Sequence, residues 1–158
     1  MTDIATEVGG HVVVLRAIGI LRDGDQVLLC RVEGNGLWYL PGGKVKAGES
    51  FAEAITRELH EELRREFSVG SPVAIAERFF RADDQDHHEI SAFFPVELKS
   101  PADRIAACDG SELRRWHDVA DLDRIDLRPG FARRLIRRET DDFQFIVSRE
   151  TDSDPVVH

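Results

Sequence analysis

"WYLPGGKVKAGESFAEAITRELHEEL", residues 38–63, decides how this chain reads. It opens on a proline and two glycines and closes on Glu58, Glu61 and Glu62, gathered into little more than one helical turn. From Phe51 onward the apolar residues recur at helical spacing. At ~100° per residue, Ile55, Leu59 and Leu63 fall at about 40°, 80° and 120° from Phe51, which is one buried face. Glu58 and Glu62 fall at about −20° and +20°, at the margin of that face, and Glu61 at about −80° on the side of Glu58. Like charges three and four residues apart repel, and carboxylates beside a buried stripe are costly unless a cation compensates them. Oxygen-only donors select a hard ion, Mg²⁺ or Mn²⁺. Helix geometry alone leaves a second reading open, a solvated Glu-rich helix whose carboxylates happen to cluster. The glycines weigh toward the ion, because residues without a Cβ let bare backbone approach a ligand.

Around this stretch the chain alternates between strand and helix signals. "HVVVLRAIGIL" (11–21) and "QVLLCRV" (26–32) read as a hairpin turned at "RDGD". "LWYL" (37–40) reads as a short strand stopped by Pro41, and residues 50–64 as a helix. "PVAIAERFF" (72–80) and "HEISAFFPVEL" (88–98) read as strands around the polar loop "RADDQDH". "LRRWHDV" (113–119) is a further short strand, "PGFARRLIRRE" (129–139) a helix with Pro129 near its start, and "FQFIVS" (143–148) a last strand. The order lacks a regular βαβ alternation, which predicts an α+β arrangement, a mixed sheet flanked by helices. The chain is read as one domain over residues 1–158, with residues 1–9 and 149–158 as flexible termini.

Composition narrows the function. A net charge of −9 argues against non-specific binding to nucleic acid or to anionic membranes, which needs a basic footprint. It leaves room for a phosphate-bearing small molecule reached through a metal ion. No apolar run is long enough to span a bilayer, and the first residues lack the basic-then-apolar order of a signal peptide. Cys30 and Cys108 belong to no metal or redox spacing and read as reduced thiols. A cytoplasmic location is expected. His87 and His88 read as surface or satisfied histidines, Trp38 and Tyr39 as core, and the arginines of "RRLIRR" (133–138) as a solvated helix face.

The opening stretch resembles the signature of the Nudix hydrolases, G-x5-E-x7-R-E-U-x-E-E-x-G-U, with U a bulky aliphatic residue. Gly43, Glu49, Arg57, Glu58, Leu59, Glu61 and Glu62 fall on the pattern at its spacing. Arg64 and Arg65 depart from it, standing where the family has Gly and an aliphatic. Glu66 would enter the apolar face, so the helix is still expected to end near Arg64, by an exit less easily made without glycine. The resemblance covers roughly residues 10–148 and implies an α/β/α sandwich with a mixed sheet. It further implies metal-dependent hydrolysis of a diphosphate linkage in a nucleoside diphosphate derivative, by water attack at phosphorus. Glu58 and Glu62 are implied as ligands of Mg²⁺ or Mn²⁺, with Glu61 ligating directly or through water and the Gly42 carbonyl as a further ligand. Arg57 and Glu49 look like the family's internal pair that braces the loop against the helix. Some family members take their general base from the helix, others from a carboxylate on a distant loop. Here Asp103, Asp109 and Glu112 precede Trp116, and Glu112 is the candidate. The alternatives are a nucleoside triphosphate pyrophosphohydrolase of the same family and a nucleotide-binding module without catalysis. The expected partner is a small nucleotide. Dimers are common in the family, and the sequence leaves the oligomeric state open.

Overall fold

The computed structural model describes residues 1–32, 34, 36–100, 107–109 and 112–150, with side chains for all of these except 32, 107–109 and 112. The first apolar run becomes β2 (His11–Asp23), whose β-branched and aliphatic residues suit a strand buried on both faces. Ala17 and Leu21 turn to one side of it, and Ile18 and Ile20 to the other. Gly24 turns the chain into β3 (Gln26–Val32). The expected hairpin forms, but its strands pair only next to the turn, Arg22 with Val27 and Asp23 with Gln26. Along its other edge β3 runs antiparallel to β9 (Glu112–Asp118) over its whole length.

The gap left along β2 is filled by the proline–glycine stretch. β4 (Gly42–Lys44) pairs antiparallel with Arg16–Ile18, and the Gly19 N–H donates to the Pro41 carbonyl at 2.8 Å. The strand therefore lies on the glycines, and the expectation of one at 37–40 is corrected: Trp38 and Tyr39 make only single bridges, to Leu127 and Cys30. The reason is steric. A Cβ at Gly42, whose φ is +149°, would overlap the Ala17 carbonyl, so glycine is what lets β4 come this close to β2.

β6 (Ala74–Ala82) and β7 (Gln85–Leu98) replace the expected polar loop with a tight hairpin. Asp83 and Asp84 have φ of 49° and 61°, the two left-handed residues of a type I′ turn, a conformation that Asp tolerates. β7 lies parallel to β2 and β10 (Gln144–Arg149) parallel to β6, while the other pairs are antiparallel. The sheet is thus mixed, in the order β10-β6-β7-β2-β3-β9-β8, where β8 is Ala107–Asp109. β1 (Ala5–Val8) pairs on β2 and β5 (Phe67–Val69) on β7. Within residues 1–9, read as a flexible terminus, Ala5–Val8 folds back on His11–Val14 at Gly9 and Gly10, and the Ile4 N–H donates to the Val45 carbonyl at 2.7 Å. At the other end Arg149 belongs to β10, and residues 151–158 lie outside the described ones.

Helical segments cover the two faces. On one, Ile55, Leu59 and Leu63 of α1 (Phe51–Leu63) pack on Ala17, Leu21, Phe94 and Val96. Burying Ile55 and Leu59 alone stabilises by about 3–6 kcal/mol. On the other, a 3-10 turn (Val119–Arg124) and α2 (Ala132–Arg137) bring Leu122, Leu135 and Ile136 onto Ile20, Leu29 and Phe93. α2 is shorter than the helix expected at 129–139, because Arg138 takes a left-handed conformation and ends it. Among the described residues no helix is long and apolar enough to cross a membrane.

Candidate active site

α1 starts where its sequence says it should. The Ser50 hydroxyl accepts the Glu53 N–H at 3.2 Å and the Glu53 carboxylate accepts the Ser50 N–H at 2.8 Å, a complete capping box. This fixes the N-terminal end of the helix against the loop that follows β4. The other end closes at Arg64, φ 50°, whose N–H reaches the His60 carbonyl at 3.1 Å. Arg64 thus adopts the left-handed conformation that glycine would take without a steric penalty.

Arg57 organises the space between helix and loop. Its Nε and Nη2 donate to the two oxygens of Glu49 at 2.7 and 3.0 Å, a bidentate pair. Nη2 also donates to the Lys44 carbonyl at 3.1 Å, and Nη1 donates to Glu58 at 2.6 Å. Glu61, one turn on, stands 3.5 Å from the same Nη1. The Glu49 side chain is only 7% exposed and also accepts the Lys46 N–H at 2.9 Å. The Arg57 guanidinium, with smaller help from that N–H, holds the Glu49 carboxyl at about 2, well below its ordinary 4.5. In return Glu49, and then Glu58, push the Arg57 guanidinium further toward its charged form. The brace inferred from the signature is therefore present as a four-cornered network, far from the solvated surface pair that contributes little.

Glu58 is held from a second side by an absence. A Cβ on Gly43 would overlap the Glu58 carboxylate, so that carboxylate rests against bare backbone of β4. The strand and the helix thus meet at Gly43 and Glu58, with the Gly42 carbonyl one residue away along the chain. Glu62 lies half-buried on the same helix, and Glu61 is 58% exposed. Among the described residues no three His, Cys, Asp or Glu side chains converge as a ready-made ion site, and Glu58 and Glu61 both face Arg57. The donor chemistry, carboxylate oxygens beside a glycine cradle with no thiol or imidazole among them, still fits a hard divalent ion. Of the loop candidates for a base, Asp103 lies outside the described residues. The backbone of Asp109 ends β8 opposite Glu112, which opens β9, and the side chains of both lie outside the description.

Sequence reasoning passed over two further constellations. Arg78, on β6, is buried between Glu89 at 2.9 Å and Glu150 at 2.6 Å, and Ser91 donates to Glu89 at 2.7 Å. The signal was there in the alternation of β6 and β7, which sets Arg78 and Glu89 in phase with inward-facing Ala76 and Ser91. Arg133, expected to be solvated, donates to the carbonyls of Leu122, Ile125, Leu127 and Gly130 and ties α2 to the 3-10 turn. His88 meets Glu77 at 2.9 Å, and His87 stacks on Phe80 with ring centres 4.9 Å apart.

The NUDIX domain family matches the chain over residues 11–138, which takes in the glycine strand, the acidic helix and the sheet they sit on. The chain belongs to the Nudix family. Relatives named as an RNA pyrophosphohydrolase and a CTP pyrophosphohydrolase show that the family contains hydrolases of phosphoanhydride bonds. The uncharacterised Nudix hydrolase YvcI of Bacillus subtilis (strain 168) is 30% identical to it over 113 residues, 70% of each chain. The CTP pyrophosphohydrolase of Escherichia coli (strain K12) is 45% identical over 62 residues, 37% of this chain and 46% of its own. The crystal structure of a MutT protein from Bacillus halodurans matches with a TM-score of 0.70 at 20% identity, over 92% of this chain and 95% of that one, a likeness of fold. The α/β/α sandwich with a mixed sheet is that of the Nudix fold.

Proposed function

We propose that the chain cleaves a diphosphate linkage in a nucleoside diphosphate derivative, by attack of water at phosphorus, in the presence of Mg²⁺ or Mn²⁺. The observation that carries this reading is the contact of Glu58 with the bare backbone of Gly43, inside the network that Arg57 makes with Glu49, Lys44 and Glu58. Glu58, Glu61, Glu62 and the Gly42 carbonyl would hold the ion, which when bound supplies charge neutralisation at the diphosphate and a more acidic water. The chain's own residues do the positioning that dominates phosphoryl transfer. Arg57 fixes the loop to the helix, and Glu49 fixes Arg57. Glu112 takes the proton of the attacking water at its carboxylate.

A second reading, cleavage of a nucleoside triphosphate, is favoured by the similarity to a CTP pyrophosphohydrolase and to a putative 8-oxo-dGTP diphosphatase of Bacillus subtilis (strain 168). Both readings use the same carboxylates. The test is incubation with Mg²⁺ and a panel of nucleotide sugars, dinucleoside polyphosphates and nucleoside triphosphates, with products resolved by chromatography. Turnover that stops in excess chelator and returns with Mg²⁺ supports the proposal, and the cleaved substrate decides between the two readings. Binding without turnover would make the chain a nucleotide-binding module, and undiminished turnover in chelator would contradict the metal role.

A further inference from the structure

β3 and β9 hold two arginines together on the face of the sheet that carries α2. Val27 and Leu29 of β3 point into the α2-side core, so Arg31, two residues on, shares their face. Across the ladder Val27 pairs with His117, Leu29 with Arg115 and Arg31 with Leu113. Arg31 and Arg115 are thus diagonal neighbours, close enough for long side chains to meet. Both close on the buried ring of Trp38, the Arg31 guanidinium 4.9 Å and the Arg115 guanidinium 5.9 Å from its centre. His117 meets the same ring edge-on, with ring centres 4.3 Å apart. The Trp38 backbone is fixed in its turn: its N–H donates to the Asp126 carbonyl and its carbonyl accepts the Arg128 N–H, each at 2.8 Å.

What this cluster lacks is an acceptor. The Arg31 Nε and the His117 Nε2 are buried, and neither has a hydrogen-bond partner among the described residues. Arg115 is exposed, and no described carboxylate pairs with either guanidinium. Asp118, beside His117, accepts from Gln26 at 2.8 Å, and Asp126, bonded to Trp38, pairs with Arg128 at 2.7 Å. Like charges on one diagonal repel, and a buried guanidinium N–H left unmet is costly. His117 registers the excess of positive charge: burial first, then Arg115 and Arg31, hold its imidazole below the ordinary 6.5, and Asp118 opposes them more weakly. Donors without acceptors select an oxyanion, and a guanidinium fork fits the oxygens of a phosphoryl or a carboxyl group. The choice of phosphoryl rests on the proposed hydrolysis of a nucleotide. Glu112, the base in that proposal, pairs with Val32, the next residue after Arg31, so the cluster adjoins the end of β9 that the reaction would use.

We propose that Arg31 and Arg115, laid on Trp38, form a subsite for a phosphoryl group that needs no metal ion. The test is calorimetric titration of the full chain with inorganic phosphate in the presence of chelator, read together with the NMR titration of the His117 imidazole. Phosphate should bind, and it should raise the pH at which His117 protonates, because an anion offsets the two arginines. Arg115→Gln, at an exposed position, should weaken the binding about tenfold, and Arg31→Gln should weaken it at least as much. Arg115→Lys keeps the charge, loses the fork and should recover only part of the binding. Kinetics identify the source of the phosphoryl group. A KM for a nucleoside triphosphate that rises about tenfold in Arg115→Gln makes the group the substrate's own, and lost phosphate binding with an unaltered KM makes it that of a separate ligand. Either result supports the subsite. The phosphate titration involves no turnover, so its outcome stands apart from whether the chain hydrolyses nucleotides. Phosphate that leaves the wild-type His117 titration unmoved, or that binds equally to wild type, Arg115→Gln and Arg31→Gln, would overturn the proposal.

Discussion

At Gly43 a missing methyl group decides the chemistry. Gly43→Ala would drive a Cβ into the Glu58 carboxylate, which would have to leave both the β4 backbone and Arg57. Misplacing one group by about an ångström costs on the order of a hundredfold in rate, so turnover of Gly43→Ala should fall by about that factor while the fold is retained. A variant with wild-type kcat would show that the close contact is incidental. Arg57→Ala removes the hub instead. Its activity should be lowest at limiting metal and recover in part at excess metal, because the loop and Glu58 lose their common anchor. Glu49 gives that anchor a pH signature. Its folded value of about 2 lies below the ordinary 4.5, so the stability it contributes is complete above about 4.5 and disappears as the pH falls through about 2. The difference in unfolding free energy between wild type and Glu49→Gln should therefore be flat above pH ~5 and close to zero near pH ~2. A difference that persisted unchanged at pH ~2 would mean that Glu49 acts through packing and not through its charge.

At the level of elements, α1 ends on a residue that is poorly suited to end it. Arg64 stands left-handed where the family signature has glycine, at a cost of about 1–2 kcal/mol. Glycine would return roughly 0.4–1 kcal/mol of that as unfolded-state entropy, so Arg64→Gly should stabilise by about 0.5 kcal/mol, read from denaturant midpoints. A loss of stability on that change would show that the Arg64 side chain has a role the cap geometry hides. α1 was legible in the sequence to within a residue at each end, because the apolar period from Phe51 and the exit expected near Arg64 agree, and the structure adds the capping box at Ser50. The hairpin of β2 and β3 was legible from its two aliphatic runs and the turn signal between them. β4 was not: a strand of Gly-Gly-Lys carries no β propensity and exists because β2 and β3 diverge and leave it an edge. Nor was the reach of β6 and β7, since polar residues in a protruding hairpin look like a loop until two left-handed Asp residues are seen to close it. Arg133 misled for a further reason: amphipathic spacing shows which face an arginine occupies, but not that three carbonyls of the preceding segment end there.

Over the whole molecule, the sheet holds two things in register. Through β2 and β4 it sets the glycine backbone against α1, and through β3 and β9 it sets Arg31 beside Arg115 on the other face. Of the residues that the signature singles out, Arg57 reaches Glu49, Glu58 and Glu61 at once, together with the Lys44 carbonyl, which spacing alone does not show. We propose that the gathering of Glu58, Glu61 and Glu62 serves an ion and not the fold. Its most direct test is a pair of denaturant titrations, with Mg²⁺ and with chelator, on wild type and on the double variant Glu58→Gln, Glu62→Gln. Wild type should gain about 2.7 kcal/mol at a hundredfold excess of Mg²⁺ over its dissociation constant, and the double variant almost nothing. Equal gains in both proteins, or no gain in wild type, would mean that these glutamates do not hold the ion.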